Sequence, residues 1–519
     1  MQTVTFAADQ IGFSILTALI VLPVAGALVL ALVKSDANVR RLAVMFAAAE
    51  LLLSLIMAFG FVPGVAGMQY VERAAWMPSL GVGYTVGVDG ISMLFVPLTA
   101  LLAFLVLLNS AEGAWFRPRL FCASILLLTA ATIGIYVALD LILFYVFYEL
   151  ALIPAFLLIT MWGSGPHREH AGGKYILYML CGSIPLLLGF ILLAADHRSA
   201  TGVLSFDYLQ LLGTPVSTQA QALIFLLLVT GFAVKGPLLP FHSWMPSVLS
   251  EGPVSAAIFL VGLKLGAYGI LRFVLPLLPD VSVEYYWVMC ILGLAAMLFA
   301  ALVAITQHNL RRLLAFASIS HVGLVFVGLF SLNAQGLQGG LLLLLSMGVT
   351  ATGLLFLAGA LQTRLGSSDV SAFGGLARDL PRLATMFFLF GLASIGMPGT
   401  IGFTGEFLVL MGAFNAHWAL AAVGVLGVIL SAGYFLKYYE RAFFGPARSS
   451  TAIKVSDLSF RETMVAASLV GLILWGGLYP AKLLEIAAPS INLVLSRIEA
   501  VPRLPAQASI IDHKAKASN

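Results

Sequence analysis

The chain has 519 residues, 61% of them hydrophobic and only 10% charged, with a mean hydropathy of +1.03. A soluble domain carries about 25% charged residues, so a soluble globular enzyme, a disordered chain and a nucleic-acid binder are excluded. The net charge of +4 leaves no polybasic surface, and the scattered Cys122, Cys181 and Cys290 give no metal-ligand spacing, haem-attachment motif or disulfide framework.

A membrane span needs about 20 apolar residues to cross roughly 30 Å of hydrocarbon. Fourteen segments fit in chain order, at 11–33, 41–63, 88–108, 119–138, 140–161, 174–195, 219–240, 253–278, 284–306, 313–332, 337–363, 384–413, 416–438 and 462–479. Lipid cannot satisfy open strand edges, and these runs are continuously apolar, so they read as helices and no strands are expected. The fold expected is an all-α integral membrane protein. Residues 1–10 lack a basic n-region, so no cleavable signal peptide is expected. Beyond the fourteenth span, residues 483–500 read as an interfacial or lateral amphipathic helix that touches neighbouring chains, and the stretch to Asn519 as loose.

The loops after odd-numbered spans hold 17 Lys and Arg, whereas those after even-numbered spans hold three, Arg73, Arg198 and Arg272. Odd loops therefore face the cytoplasm and both termini face outward.

An ionisable side chain at the bilayer centre costs roughly 2.5–3.5 kcal/mol and usually faces a bundle interior or a hydrated path. Six stand inside spans: Glu50, Glu149, Lys235, Lys264, His321 and Glu406. Glu50 reads as structural, in an ion pair or snorkelling, and Asp140 as a helix start, where an anion suits the dipole. Glu149, Lys235, Lys264 and Glu406 read as a relay in which an acid holds a lysine charged, and its removal lets the lysine release a proton.

Two spans carry helix breakers beside a charge. Gly231, Gly236, Pro237 and Pro240 surround Lys235, while Gly391, Gly396, Pro398, Gly399, Gly402 and Gly405 precede Glu406. Breaks at matching places in two halves mark the ion path in transporters built from repeats. GFAVKGP at 231–237 and GLASIGMP at 391–398 match loosely. Spans 4–8 and 9–13 would then be two five-helix repeats, inverted because five is odd. The organisation expected is 1–110 for the first three spans, 111–280 and 281–445 for the repeats, and 446–519 for the last span and tail.

VGVDGIS at 86–92, FYVFYELALIP at 144–154, KGPLLPFHSWMP at 235–246, LKLGAYGILRF at 263–273, QHNLRRLLAFASISHVG at 307–323 and GFTGEF at 402–407 resemble the antiporter-like membrane subunits of respiratory complex I. The resemblance covers about residues 85–445, and Glu406, where the L and N types carry lysine, is similar to the M type. It implies fourteen helices with two inverted repeats. It implies that Glu149 pairs with Lys235, that Lys264 links two half-channels, that His321 is a relay histidine, and that Glu406 exchanges protons with the outer side. It also implies no cofactor on this chain, with FMN, iron–sulfur clusters and quinone on partner subunits. The partners implied are L-type, N-type and small membrane subunits together with lipids, not nucleic acid, in a bacterial inner membrane.

The sequence departs from that family at Ser346-Met347-Gly348, where serine–histidine–glycine is usual; Met cannot carry a proton, so water and Ser346 bridge the gap or the relay differs. Pro246-Ser247-Val248-Leu249 replaces proline–aspartate–alanine–histidine, although Glu251 and Pro253 remain. These differences suggest a divergent M-type subunit or a related machine: a multi-chain sodium/proton antiporter, a membrane-bound hydrogenase, or the membrane part of an inorganic-carbon uptake complex. Glu251 and Ser346 are candidates for proton access. His242 either loads Lys235 with protons or caps carbonyls of the seventh span. His308, Arg311 and Arg312 read as a cluster binding headgroups or a neighbouring chain.

Overall fold

The structure, a computed structural model, describes residues 4–6, 10–110, 116–370, 374–444 and 456–501. The expected loose stretch to Asn519 lies outside them. Twelve helices among the described residues are long and apolar enough to cross a membrane. They coincide with every expected span except the third and twelfth. The third is the shorter helix Phe95–Ser110, and the twelfth is the pair Pro381–Ser394 and Ile401–Ala416. The chain is a multi-pass membrane protein.

The bundle has a centre and a rim. Helices Leu310–Phe330 and Ala334–Leu365 have 94% of their apolar windows buried, whereas Asp36–Gly60 and Phe460–Leu478 have 28%. Polar side chains on the two central helices are thus withdrawn from lipid, while Leu28, Leu32, Phe59 and Ile184 on the rim are exposed.

The expectation of no strands is corrected. β1 (Val4–Phe6) pairs parallel with β2 (Met68–Met77), which pairs antiparallel with β3 (Val82–Val88). Gly81, at φ +67°, makes the reversal between β2 and β3. The hairpin ends at Val88, the first residue assigned to the third span, and a turn through residues 89–94 follows, so that helix begins at Phe95. Glu72 of β2 accepts from the Leu16 and Thr17 N–H groups at 2.8 and 3.1 Å. It thereby caps helix Ile15–Leu32, whose own Ser14 makes no cap bond.

Loops sort onto two ends. β3 bridges Ala138, Asp140 bridges Asp207, and Arg73 lies 3.6 Å from Asp207, which joins the loops after spans 2, 4 and 6. Helix Pro480–Glu499 joins this end through Gly90 N–H to Ser490 Oγ (3.1 Å) and Arg497 to the Leu212 carbonyl (2.8 Å). It is the amphipathic helix expected, but its buried residues, among them Leu483, Ile491 and Leu495, pack on this chain. β1 is on the same end, so the described terminal segments share a side. At the other end, Arg311 Nη1 donates to Ser164 (2.9 Å) and Gln362 (3.1 Å), and Arg364 pairs with Glu462 at 2.6 Å. Those residues come from the loops or helix ends after spans 5, 9, 11 and 13, as strict alternation requires.

Three charge assignments change. Glu50 is 1% exposed and both carboxylate oxygens lack a hydrogen-bond partner. Among the described residues it has no ion pair, and its burial leaves no room for snorkelling. Arg272 is not a loop residue: it is buried in the turn Ile270–Val274 and paired with Asp89. Arg311 is 1% exposed and tied to two loops and a helix end, so it is not part of an outward headgroup cluster. Asp140 behaves as expected, accepting from Ile142 and Leu143 N–H at 2.9 and 3.0 Å.

Candidate functional site: titratable side chains at helix breaks

Pro154 has no N–H to give the Leu150 carbonyl, and the fifth span breaks there into Leu141–Leu150 and Leu152–Trp162. Lys235 ends helix Thr218–Lys235, where Gly236 and Pro237 stop it. The two breaks meet. Lys235 Nζ donates to the Tyr148 carbonyl at 2.8 Å and stands 3.4 Å from the centre of the Tyr148 ring. Glu149 is the next residue, half-buried, but no Glu149–Lys235 ion pair closer than 4.0 Å exists among the described residues. Glu149 and Lys235 interact as neighbouring charges rather than as a contact ion pair: a carbonyl and an aromatic face hold the ammonium, with the carboxylate one residue farther along.

Lys264 marks a break that the sequence reading missed. The eighth span is helical over Val254–Gly262, extended at Leu263, and helical again from Leu265. A Cβ on Gly266 would meet the Phe232 carbonyl and the Gly236 backbone, so only glycine lets the broken seventh and eighth spans touch there. Lys264 Nζ is 3% exposed at residue level and donates to Ser318 Oγ at 2.6 Å. Ser318 precedes His321 by three residues, hence on the same helix face.

Ser318, His321, Ser346, Met347, Ser394 and Glu406 line one cavity of about 40 Å³. A water needs about 10–15 Å³ by this measure, so the cavity has room for about three. His321 Nδ1 lies 2.7 Å from the Ala317 carbonyl and Nε2 lies 2.9 Å from the Ser394 carbonyl. Both partners only accept, so satisfying both takes a ring with two N–H groups, the protonated form. Glu406 Oε1 is 3.6 Å from Nε2, a charge partner for that form. The glutamate is placed by the break between Ser394 and Ile401: Gly396, at φ +69°, leaves the space that the Glu406 carboxylate fills.

The structure thus brings Lys264, Ser318, His321, Ser346 and Glu406 together, and puts Lys235 with Tyr148 and Glu149. It does not bring in the other two candidates. His242 stacks edge-on against Phe299 at 5.3 Å, and its Nδ1 is buried without a partner. Of its two readings, contact with a carbonyl of the seventh span is the one present, at Pro240, while the Val234 carbonyl is taken by Trp244 Nε1 at 2.9 Å. Glu251 accepts from His167 N–H at 3.0 Å and holds the start of helix Arg168–Thr201. Sequence reasoning also missed the buried bidentate pair of Arg272 with Asp89, which pins the eighth span below Lys264. Those residues are 183 apart, and only the recurrence of apolar surroundings on both signalled them.

Residues 138–431 match the family model described as NADH:quinone oxidoreductase/Mrp antiporter, TM. The chain is 37% identical over 493 residues to NADH-quinone oxidoreductase subunit M of Rhodobacter capsulatus, covering 92% of this chain and 96% of that one. Among solved structures it resembles a chain of respiratory complex I from Thermus thermophilus with bound NADH. That match has a TM-score of 0.85 and 33% identity, over 94% of this chain and all of that one. A chain of the Mrp complex from a Dietzia species shares the fold at 23% identity and a TM-score of 0.80, over 94% of this chain and 100% of that chain. The break at Lys235 and the cavity from Ser318 to Glu406 fall inside the matched residues, and the chain belongs to the family of NADH:quinone oxidoreductase/Mrp antiporter membrane subunits.

Proposed function

We propose that the chain is the M-type membrane subunit of a proton-translocating NADH:quinone oxidoreductase in a bacterial inner membrane. It performs no redox step itself; FMN, iron–sulfur clusters and quinone belong to partner subunits, and L-type, N-type and small membrane subunits flank it. The observation that carries this reading is the line Lys264–Ser318–cavity–His321–Glu406, with Lys235 across the touching helix breaks. In this reading the Lys- and Arg-rich loops face the cytoplasm and both termini face outward. Residues 111–280 and 281–445 are the two inverted repeats, and the break after Lys235 in the seventh span of the first corresponds to the break before Glu406 in the second.

Electron transfer elsewhere moves charge at Glu149, and Lys235 loses part of its stabilisation. Two unit charges 4 Å apart attract by about 4 kcal/mol at an effective dielectric near 20. Glu149 stands farther off, so its withdrawal supplies somewhat less, still comparable with the roughly 2.3 kcal/mol needed to move one charge against 100 mV. Lys235 passes its proton to Lys264, which passes one through the Ser318 hydroxyl and cavity water. His321 and Glu406 deliver it to the outer side. Ser346, on the cavity wall, takes the place that Met347 cannot fill.

An affinity tag on this chain tests the machine. The purified assembly is expected to bring down flavin, iron–sulfur protein and NADH:quinone activity. Recovery of only small membrane chains, with sodium/proton exchange in liposomes and no NADH oxidation, overturns the assignment in favour of the antiporter.

A further inference from the structure

Past the break at Lys235 the seventh span continues as helix Trp244–Glu251 toward the end where the basic loops gather, packed against helix Arg168–Thr201. Ser243, Ser247 and Ser250 recur at intervals of four and three, so they share one face. All three keep part of their surface, whereas Trp244, Met245, Pro246, Val248 and Leu249 are buried. The facing helix presents polar groups at the same levels, and these also keep part of their surface. Tyr178 Oη and Ser243 Oγ are 2.7 Å apart, and Lys174 Nζ donates to Ser247 Oγ at 3.4 Å. Ser250 Oγ donates to the Ser247 carbonyl at 3.1 Å. At the inner end, Ser183 and Tyr175 of the same facing helix stand beside the Glu149 carboxyl, itself only half-buried. A hydroxyl both donates and accepts. Residues four apart on a helix have Cβ atoms about 5–6 Å apart, a gap that one water bridges.

We propose that Lys235 is reloaded with protons along this file, from cytoplasmic water at Ser247 through the Ser243–Tyr178 hydroxyl pair to Glu149. The inference rests on the pumping function proposed above and names the entry that it needs. At each hydroxyl an oxygen lone pair takes up one proton as the O–H gives up its own, so no charge stays behind. The proton ends on the neutral Nζ that remains once Lys235 has passed its own to Lys264. Lys174 donates to Ser247, which leaves the Ser247 O–H to point inward along the helix, at the Ser243 carbonyl 3.4 Å away. Hydroxyls that only tied the two helices together would need neither accessible surface nor a second turn of serine.

Inverted membrane vesicles expose the cytoplasmic face of the assembled complex. Ser247→Cys is treated there with a membrane-impermeant cationic methanethiosulfonate, beside wild type, which keeps Cys122, Cys181 and Cys290. The introduced thiol is expected to react, and NADH-driven pumping to lose this chain's share of the protons per electron; wild type keeps its ratio under the same reagent. Tyr178→Phe/Ser243→Ala retains the ring and loses both hydroxyls, so a lower ratio with NADH oxidation retained is expected. Tyr148→Phe, which loses a buried hydroxyl without a partner, is the control and keeps the ratio. A wild-type ratio in the double variant, or an introduced thiol that does not react from the cytoplasmic face, overturns the proposal. If Lys235→Ala lowers the ratio and the double variant does not, pumping through this chain stands and the hydroxyl file falls. A wild-type complex that moves no protons with NADH sinks the pumping reading itself.

Discussion

Replacing Ser346 with Leu is expected to stop proton transfer through this chain while leaving the bundle about as stable as before. The cavity of about 40 Å³ has room for about three waters, enough to span the gap between the Ser318 hydroxyl and the His321–Glu406 pair. A leucine at 346 occupies most of that space and removes one hydroxyl from its wall. Filling a void recovers about 24 cal/mol per Å³, so about 1 kcal/mol for this one. Overpacking takes back roughly 1–3 kcal/mol. The two nearly offset each other, a small matter for a helix with 94% of its window buried. Proton transfer has no such compensation, because a file of waters interrupted once carries nothing. The assay is NADH-driven acidification of inverted membrane vesicles, with NADH oxidation recorded in parallel. The ratio of protons to electrons is expected to fall by this chain's share. An assembled Ser346→Leu complex with an unchanged ratio would refute the cavity as the route.

Three further perturbations follow from the geometry. Gly396→Ala puts a Cβ against Glu406 at a positive φ, costs about 1–2 kcal/mol of backbone strain and pushes the carboxylate from His321; reduced pumping in an assembled complex is expected, and wild-type pumping would show the placement of Glu406 to be immaterial. Asp89→Ala leaves Arg272 buried and unpaired, at about 3–5 kcal/mol. The thermal midpoint of the complex should drop and be largely regained in Asp89→Leu/Arg272→Met; no drop in the single variant contradicts the pair's role. Tyr148→Phe keeps the ring over Lys235 and loses only a hydroxyl that has no partner, so it should pump normally. Tyr148→Leu removes a cation–π contact of about 2 kcal/mol and should impair pumping; equal behaviour of the two would show that the ring does not hold the lysine.

The spans were legible because each is a long apolar run, and the intramembrane charges because each interrupts one. The break around Lys235 was legible from Pro237 and Pro240, and the one before Glu406 from Pro398. The break at Lys264 was not, since no proline marks it; its signal was the pair Gly262 and Gly266, which reads equally as close helix packing. The β2–β3 hairpin was hidden because it lies between two apolar runs and β3 abuts that of the third span. Partnerships were the least legible. Nothing local says that Lys235 takes a carbonyl and a ring rather than Glu149, that Lys264 takes Ser318, or that Glu50 takes nothing. Such choices arise from helix crossings, not from spacing along one helix. Arg311 shows the same thing in reverse: next to Arg312 and His308 it looked like surface, yet it ties two loops to the end of a helix.

The central claim is that protons cross this chain through its buried lysines. The most direct measurement is NADH-driven proton pumping in membrane vesicles of wild type and Lys235→Ala, with electron transfer recorded at the same time. The account expects the Lys235→Ala complex to assemble and to pump fewer protons per electron than wild type. A wild-type ratio in that variant would contradict it and place the path elsewhere in the chain or in its partners.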